Sequence, residues 1–172
     1  MQTIASVPLT HALLAELDRE TELTRRVVAR LPEASFGWQP HPKSYTAGEL
    51  ASHLVDILAW VAPIFDYPEF NMATDGDDTA PLATTRAELL TRLAANSAAA
   101  RAALASATPE DFAFVWTFRN GEQLVLRQPR AEVVREWFFN HIVHHRAQLQ
   151  VYLRLLDVPV PAIYGPSADE RQ

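Results

Sequence analysis

Four stretches of this sequence repeat apolar residues every three or four positions, with prolines at or beyond their ends, and that pattern restricts the chain to a helical fold. The first stretch runs from about Leu9 to Leu31, with Leu13, Leu14, Leu17, Val27, Val28 and Leu31 on one side. Pro8 stands near its start and Pro32 just past its end. A polar connection follows from Pro32 to Tyr45, with Trp38, Pro40, His41 and Pro42 in it. Proline fixes φ and removes a donor, so this segment reads as an ordered loop. The second helix is predicted from Thr46 to about Ile64. Thr46 and Glu49 form an S/T-x-x-E capping box, in which each side chain can bond the other residue's backbone N–H. Pro63, Pro68 and Thr74-Asp75-Gly76-Asp77-Asp78 mark a long surface loop, and an alanine-rich third helix spans about Thr84 to Ala107.

The segment from Phe112 to Leu126 breaks the helical pattern. Phe114, Val115, Trp116, Thr117 and Phe118 favour a strand, and Asn120-Gly121 is a strong hairpin-turn signal. The fourth helix is predicted from about Arg130 to Asp157, with Pro129 before it and Pro159 and Pro161 after it. The tail from Val158 has no periodicity. Four helices of similar length predict an all-α, four-helix bundle spanning residues 1–172 as one domain. The small β-hairpin between helices three and four is expected to be its only sheet.

Composition removes several function classes. Net charge is -6 and no basic run is long enough to track phosphates, which argues against a nucleic-acid partner. The apolar runs read as far short of the ~20 residues that cross a bilayer. Met1-Gln2-Thr3-Ile4 lacks a charged segment followed by a long apolar one, so no signal peptide is expected. Cysteine is absent, which fits a cytoplasmic location and excludes disulfides, thiolate ligands and a cysteine nucleophile. Any transition-metal site must then use histidine and carboxylates.

Histidines supply that possibility. Helix four carries Asn140-His141-Ile142-Val143-His144-His145-Arg146. With His141 at zero on a helical wheel, Val134, Phe138, Tyr152 and Leu156 fall at about 20° to 60°, and Leu149 at about 80°. His145 falls at about 40°, inside that stripe, and His144 at about -60°, on its edge. His141 and His145 are therefore expected to face inward one turn apart, as H-x-x-x-H metal motifs require. On helix two, His53 shares a side with Leu50, Ile57, Trp60, Val61 and Ile64. A single inward histidine is ordinarily a hydrogen-bonded core residue. Three imidazoles in an apolar core are costly unless each finds a partner, and one ion partners all three. His53, His141 and His145 are the candidate ligands, leaving a position for water or substrate.

The remaining polar residues have ordinary explanations. His11 and His41 read as surface residues. His144 suits either solvent or a supporting position. Gln148, at about -20°, can orient a ligand imidazole or join two helices. Glu49 is accounted for by the capping box, and Asp56 by solvent. Trp38, Trp60, Trp116 and Trp137 are expected in core and lid packing.

At these residues the chain resembles the DinB/YfiT-like family. The resemblance is carried by Trp38-Gln39-Pro40 with Ser44-Tyr45-Thr46-Ala47-Gly48-Glu49-Leu50-Ala51-Ser52-His53-Leu54, by Asn140 through Leu149, and by Pro161-Ala162-Ile163-Tyr164-Gly165-Pro166. It implies a four-helix bundle with a long crossing connection between helices two and three, and a metal triad at His53, His141 and His145. It also implies a homodimer. Some members transfer a low-molecular-weight thiol such as bacillithiol or mycothiol, and others are described as metal-dependent hydrolases.

Together these readings predict a metal-dependent enzyme holding one divalent ion, zinc or nickel, that activates a small-molecule thiol or water for transfer or hydrolysis. Its substrate would be a small molecule, with neither nucleic acid nor membrane as partner. The alternatives are a non-catalytic metal-binding stress-response module and a metal-free bundle with a degenerate site.

Overall fold

A computed structural model describes residues 8–75 and 80–171. The N-terminal tetrapeptide and most of the acidic loop, Gly76 to Asp78, lie outside the described residues. The helices are α1 (Leu9–Val28), α2 (Ala47–Asp56), α3 (Val61–Asp66), α4 (Arg86–Ser106), α5 (Pro109–Ala113), α6 (Arg130–Val133) and α7 (Asn140–Leu155). The strands are β1 (Glu69–Asn71), β2 (Val115–Asn120) and β3 (Gln123–Pro129). The chain is thus mostly helical with a small sheet. α1 and α2 each pack against both α4 and α7, and one apolar core runs between them from Leu17 through Leu54 and Leu93 to Leu149.

The expectation of four uninterrupted helices is corrected in two places. α2 ends at Asp56, a 3₁₀ turn covers Ile57–Trp60, and α3 begins afresh at Val61. Pro63 then occupies the first turn of α3, where its missing N–H would have no intrahelical partner anyway. The 3₁₀ break lets the rod continue past a residue that read as its end. The predicted fourth helix likewise becomes α6, a π-helical turn at Val134–Phe139, and α7. Ala47–Asp66 taken together is long and apolar enough to cross a bilayer, unlike the short runs expected. Its residues Leu50, Leu54, Ile57, Leu58 and Val61 are instead buried in the protein core.

The sheet is also larger than a hairpin. β2 and β3 pair antiparallel, with Asn120 opposite Gln123 and Gly121 at φ 60° in the turn. β1 adds in parallel to β2, with Phe70 opposite Phe118. The Asn71 side chain clamps the turn, accepting from Gly121 N–H at 2.9 Å and donating to its carbonyl at 3.3 Å. Thr108 and Asp111 form a second capping box that starts α5, a short helix that the sequence reading did not anticipate.

The tail after α7 lacks regular structure yet is firmly held. Glu170 accepts from Arg26 and Arg30 on the α1 side, and Asp169 from Arg154. Tyr164 joins a buried ion pair: its hydroxyl donates to Glu20 Oε2 at 2.6 Å, which also accepts from Arg146 at 2.6 Å. The two charged side chains are only 1% and 3% exposed. Burial works to raise the Glu20 carboxyl, but the Tyr164 and Arg146 hydrogen bonds outweigh it and hold the group below the usual carboxylate range. Removing one partner strands the other charge in the core. Glu20→Ala is therefore expected to lower stability by about 3–5 kcal/mol, and Tyr164→Phe by about 1 kcal/mol, in urea denaturation. Equal, small losses would show that the pair is not the anchor of α1 on α7.

Candidate metal centre

His53 stands in the last turn of α2, and His141 and His145 in the first turns of α7, where the two helices pack together. The rings converge. His53 Nε2 and His141 Nε2 are 3.4 Å apart, and one nitrogen from each of the three rings lies within 4.8 Å of the others. Ring centroids are 4.6 Å apart for His53–His145 and for His141–His145, and 5.2 Å for His53–His141. Two nitrogens each about 2.0–2.1 Å from a tetrahedral zinc stand about 3.4 Å apart. The His53–His141 pair already has that separation, and small ring rotations would bring His145 to it. The group could therefore hold a metal ion. Among the described residues no carboxylate joins it.

Neighbouring groups set the ring orientations. His145 Nδ1 meets Gln148 Oε1 at 2.7 Å; with the proton on Nδ1 it donates there and turns the Nε2 lone pair toward the cluster. The Trp137 backbone, inside the π-helical turn, favours the protonated His141 ring, against the larger opposing effect of burial. Trp60, delivered by the 3₁₀ turn, packs at 5.7 Å from the His53 ring and 5.4 Å from that of His141.

The other residues singled out in the sequence fall as follows. His144 is exposed, with its ring 4.8 Å from His145, and takes no place in the cluster. Glu49 is engaged at the start of α2, where Oε2 accepts from Thr46 N–H at 2.7 Å. His11 and His41 are on the surface. Asp56 is not simply solvated: Arg92 on α4 meets it at 3.2 Å. Trp116 is buried, Trp38 packs edge-on to Tyr152, and Trp60 and Trp137 are 38% and 37% exposed at the rim of the triad. Two clefts reach the triad from different sides. One of about 590 Å³ includes His145 with Gln39, Tyr45, Glu49, Gln148 and Tyr152. One of about 360 Å³ includes His141 with Glu136, Trp137, Asn140 and His144. The first was missed in the sequence because its wall is the proline-rich loop, whose path no periodicity predicts.

Burial favours neutral rings throughout. It is the largest cause that pushes His53 down to about 4, assisted by His145 and His141, and it lowers His141 and His145 as well. A depressed imidazole is neutral and able to bind metal at mildly acidic pH. It also means that the unfolded chain takes up protons, below about pH 6.5, before the folded one does. Stability of the metal-free protein should therefore fall as pH drops from about 6.5 toward 4, and His53→Gln should flatten that dependence. Guanidinium titrations at intervals of pH would test this, and an unchanged slope in the variant would refute it.

A sequence model of the DinB superfamily matches residues 16–149, a span that contains all three histidines. No curated protein matches the sequence. Among solved structures, the fold is similar to a DinB-like protein from Bacillus cereus ATCC 10987, with a TM-score of 0.66 and 20% identity over 88% of this chain and 95% of that one. It is also similar to a DinB-like protein from Bacillus subtilis, with a TM-score of 0.65 and 14% identity over 86% and 95%. At such identities the likeness is one of fold. The family match covers most of the sequence, and on that ground the chain belongs to the DinB superfamily.

Proposed function

We propose that this protein binds one divalent metal ion, zinc or nickel, through His53, His141 and His145, and uses it as a metal-dependent enzyme on a small molecule. The observation that carries the proposal is the convergence of three neutral imidazoles, from two different helices, with no fourth protein ligand beside them among the described residues. A structural ion is ordinarily closed by four protein ligands, whereas a catalytic one keeps a position open. That contrast favours an enzyme over a non-catalytic metal-binding stress-response module. When bound, the ion would supply Lewis-acid chemistry, lowering the pKa of a thiol or water so that a nucleophile exists near neutral pH.

The chain's own side chains would do the rest. Gln148 holds the His145 tautomer, and the Trp60 indole shields one side of the His53 and His141 rings from water. The two clefts give a nucleophile and a second reactant separate approaches to the triad. With no cysteine in the chain, a thiol nucleophile would come from a low-molecular-weight cosubstrate. Transfer of such a thiol and hydrolysis by water both remain within this reading. A homodimer in the cytoplasm is part of the proposal, and light scattering that found only the 19.2 kDa monomer would reject the dimer.

The purified protein should contain one divalent ion per chain by elemental analysis. His145→Ala should abolish tight binding, because two imidazoles make a poor site, while His144→Ala should retain it. Titration with cobalt(II) would show both, since Trp60 is close enough for its fluorescence to report the loaded triad. If His144→Ala lost the metal and His145→Ala kept it, the ligand pair would be i, i+3 and the assignment wrong. Thiol transfer to a generic electrophile, assayed with and without metal, then separates the enzyme from the passive module.

A further inference from the structure

The larger cleft contains an unusual charge. Lys43 is the only lysine in the chain; every other cationic side chain, histidine aside, is arginine. Arginines 25, 92, 135, 146 and 154 each meet a carboxylate, whereas Lys43, like Arg86, Arg119 and Arg127, makes no ion pair among the described residues. Its backbone is nevertheless fixed. The Lys43 N–H donates to His41 Nδ1 at 3.1 Å, and the His41 carbonyl accepts from Ser44 N–H at 2.9 Å and from Gln39 Nε2 at 3.0 Å. Pro40 and Pro42 flank this turn and stiffen it. Lys43, an exposed residue on a fixed base, thus lines the same cleft as His145.

The cleft's other charge limits what that ammonium can attract. Glu49 Oε2 accepts the Thr46 N–H at 2.7 Å and the Thr46 hydroxyl at 2.9 Å, which keeps the carboxylate at the start of α2. Lys43 and Glu49 make no ion pair with each other, so neither neutralises the other at contact distance. With Glu49 opposing it, Lys43 offers little net attraction. That attraction grows in proportion to the ligand's charge while the desolvation cost grows with its square, so a monoanion is favoured over a dianion such as phosphate. Gln148 gives its oxygen to His145 and keeps its NH₂ group as a further donor in the cleft. About 590 Å³ is space for a small organic molecule.

We propose that this cleft binds a small molecule bearing a single carboxylate, that Lys43 selects it, and that the ligand's other end reaches His145 and the triad. The proposal deepens the enzymatic reading by naming its substrate class, and it rests on that reading only for what happens at the triad end. Selection at Lys43 needs no metal.

Reductive methylation with ¹³C-formaldehyde keeps the charge and gives the full-length protein one lysine NMR signal. Two ligands of equal length, 3-mercaptopropionate and the neutral 3-mercaptopropionamide, would be titrated into metal-free and zinc-supplemented protein. The carboxylate should move the Lys43 signal at about tenfold lower concentration than the amide, in both forms. Lys43→Gln should make the two ligands equivalent, read by tryptophan fluorescence, and Lys43→Arg should restore the difference. Inorganic phosphate should bind more weakly than the carboxylate. Equal half-saturation by acid and amide in the metal-free protein overturns the proposal even where zinc binds, and so does phosphate binding as tightly as the carboxylate. A carboxylate preference that persists in a protein unable to hold zinc sinks the metal reading and leaves this one standing.

Discussion

Two consecutive residues of α7, His145 and Arg146, point into different parts of the interior, and the second holds the first in place. Arg146 is fully buried, and its guanidinium reaches the Glu20 carboxylate, the Glu20 carbonyl at 3.2 Å and the Tyr164 ring. That fixes the rotation of α7 about its axis against α1 and the tail. His145 is then presented to α2, where His53 waits. A rotation of α7 large enough to separate the imidazoles would pull a paired charge out of its partners in a low-dielectric interior, where an unpaired ion is costly. The triad's geometry is thus inherited from an ion pair that shares none of its chemistry.

That coupling also explains what could be read from the sequence and what could not. His53, His141 and His145 were legible because i, i+4 spacing and apolar neighbours survive any modest error in helix phase. Arg146 was not, because the buried stripe was drawn through Val134, Phe138, Tyr152 and Leu156, which put it too near His141. The residues buried on α7 are Ile142, His145, Arg146, Leu149, Tyr152 and Leu153, which centre at about 80° rather than 40°. Val134 and Phe138 lie in the π-helical turn, where each residue advances by less than about 100°, so a uniform wheel misplaces those two relative to His141. About that centre His141 is half-buried at the edge of the stripe and His145 lies within it. Glu20 was legible in principle, for it falls between Leu17 and Leu23 on the buried side of α1. A carboxylate on an apolar stripe signals a buried partner.

The sheet shows a different limit. β2 and β3 follow from their β-branched and aromatic residues and from the turn glycine. β1 has three residues directly after Pro68, too few for any periodicity to register. It exists because Asn71 meets the Gly121 turn and Phe70 packs at 6.0 Å from Phe118, contacts that only the folded chain supplies. The aromatic row continues from Phe118 to Trp137 at 6.1 Å, which links the sheet to the rim of the cleft beside His141. The sheet therefore buttresses one approach to the triad and is more than a connection between helices.

α2 joins the two halves of the site. Its N-terminal capping box fixes Thr46 and Glu49 in one wall of the larger cleft, and its last turn carries His53. Glu49 might have been a fourth ligand by its position one turn before His53, yet capping draws its carboxylate back toward Thr46 and away from the rings. The next residues abandon the α-helix for a 3₁₀ turn, whose tighter winding rotates Trp60 onto the His53 and His141 rings. A regular helix through Trp60 would also have placed Pro63 mid-rod, where its ring clashes with the preceding turn. The irregularity that accommodates the proline is thus the one that covers one side of the triad, and the two clefts occupy sides it leaves open.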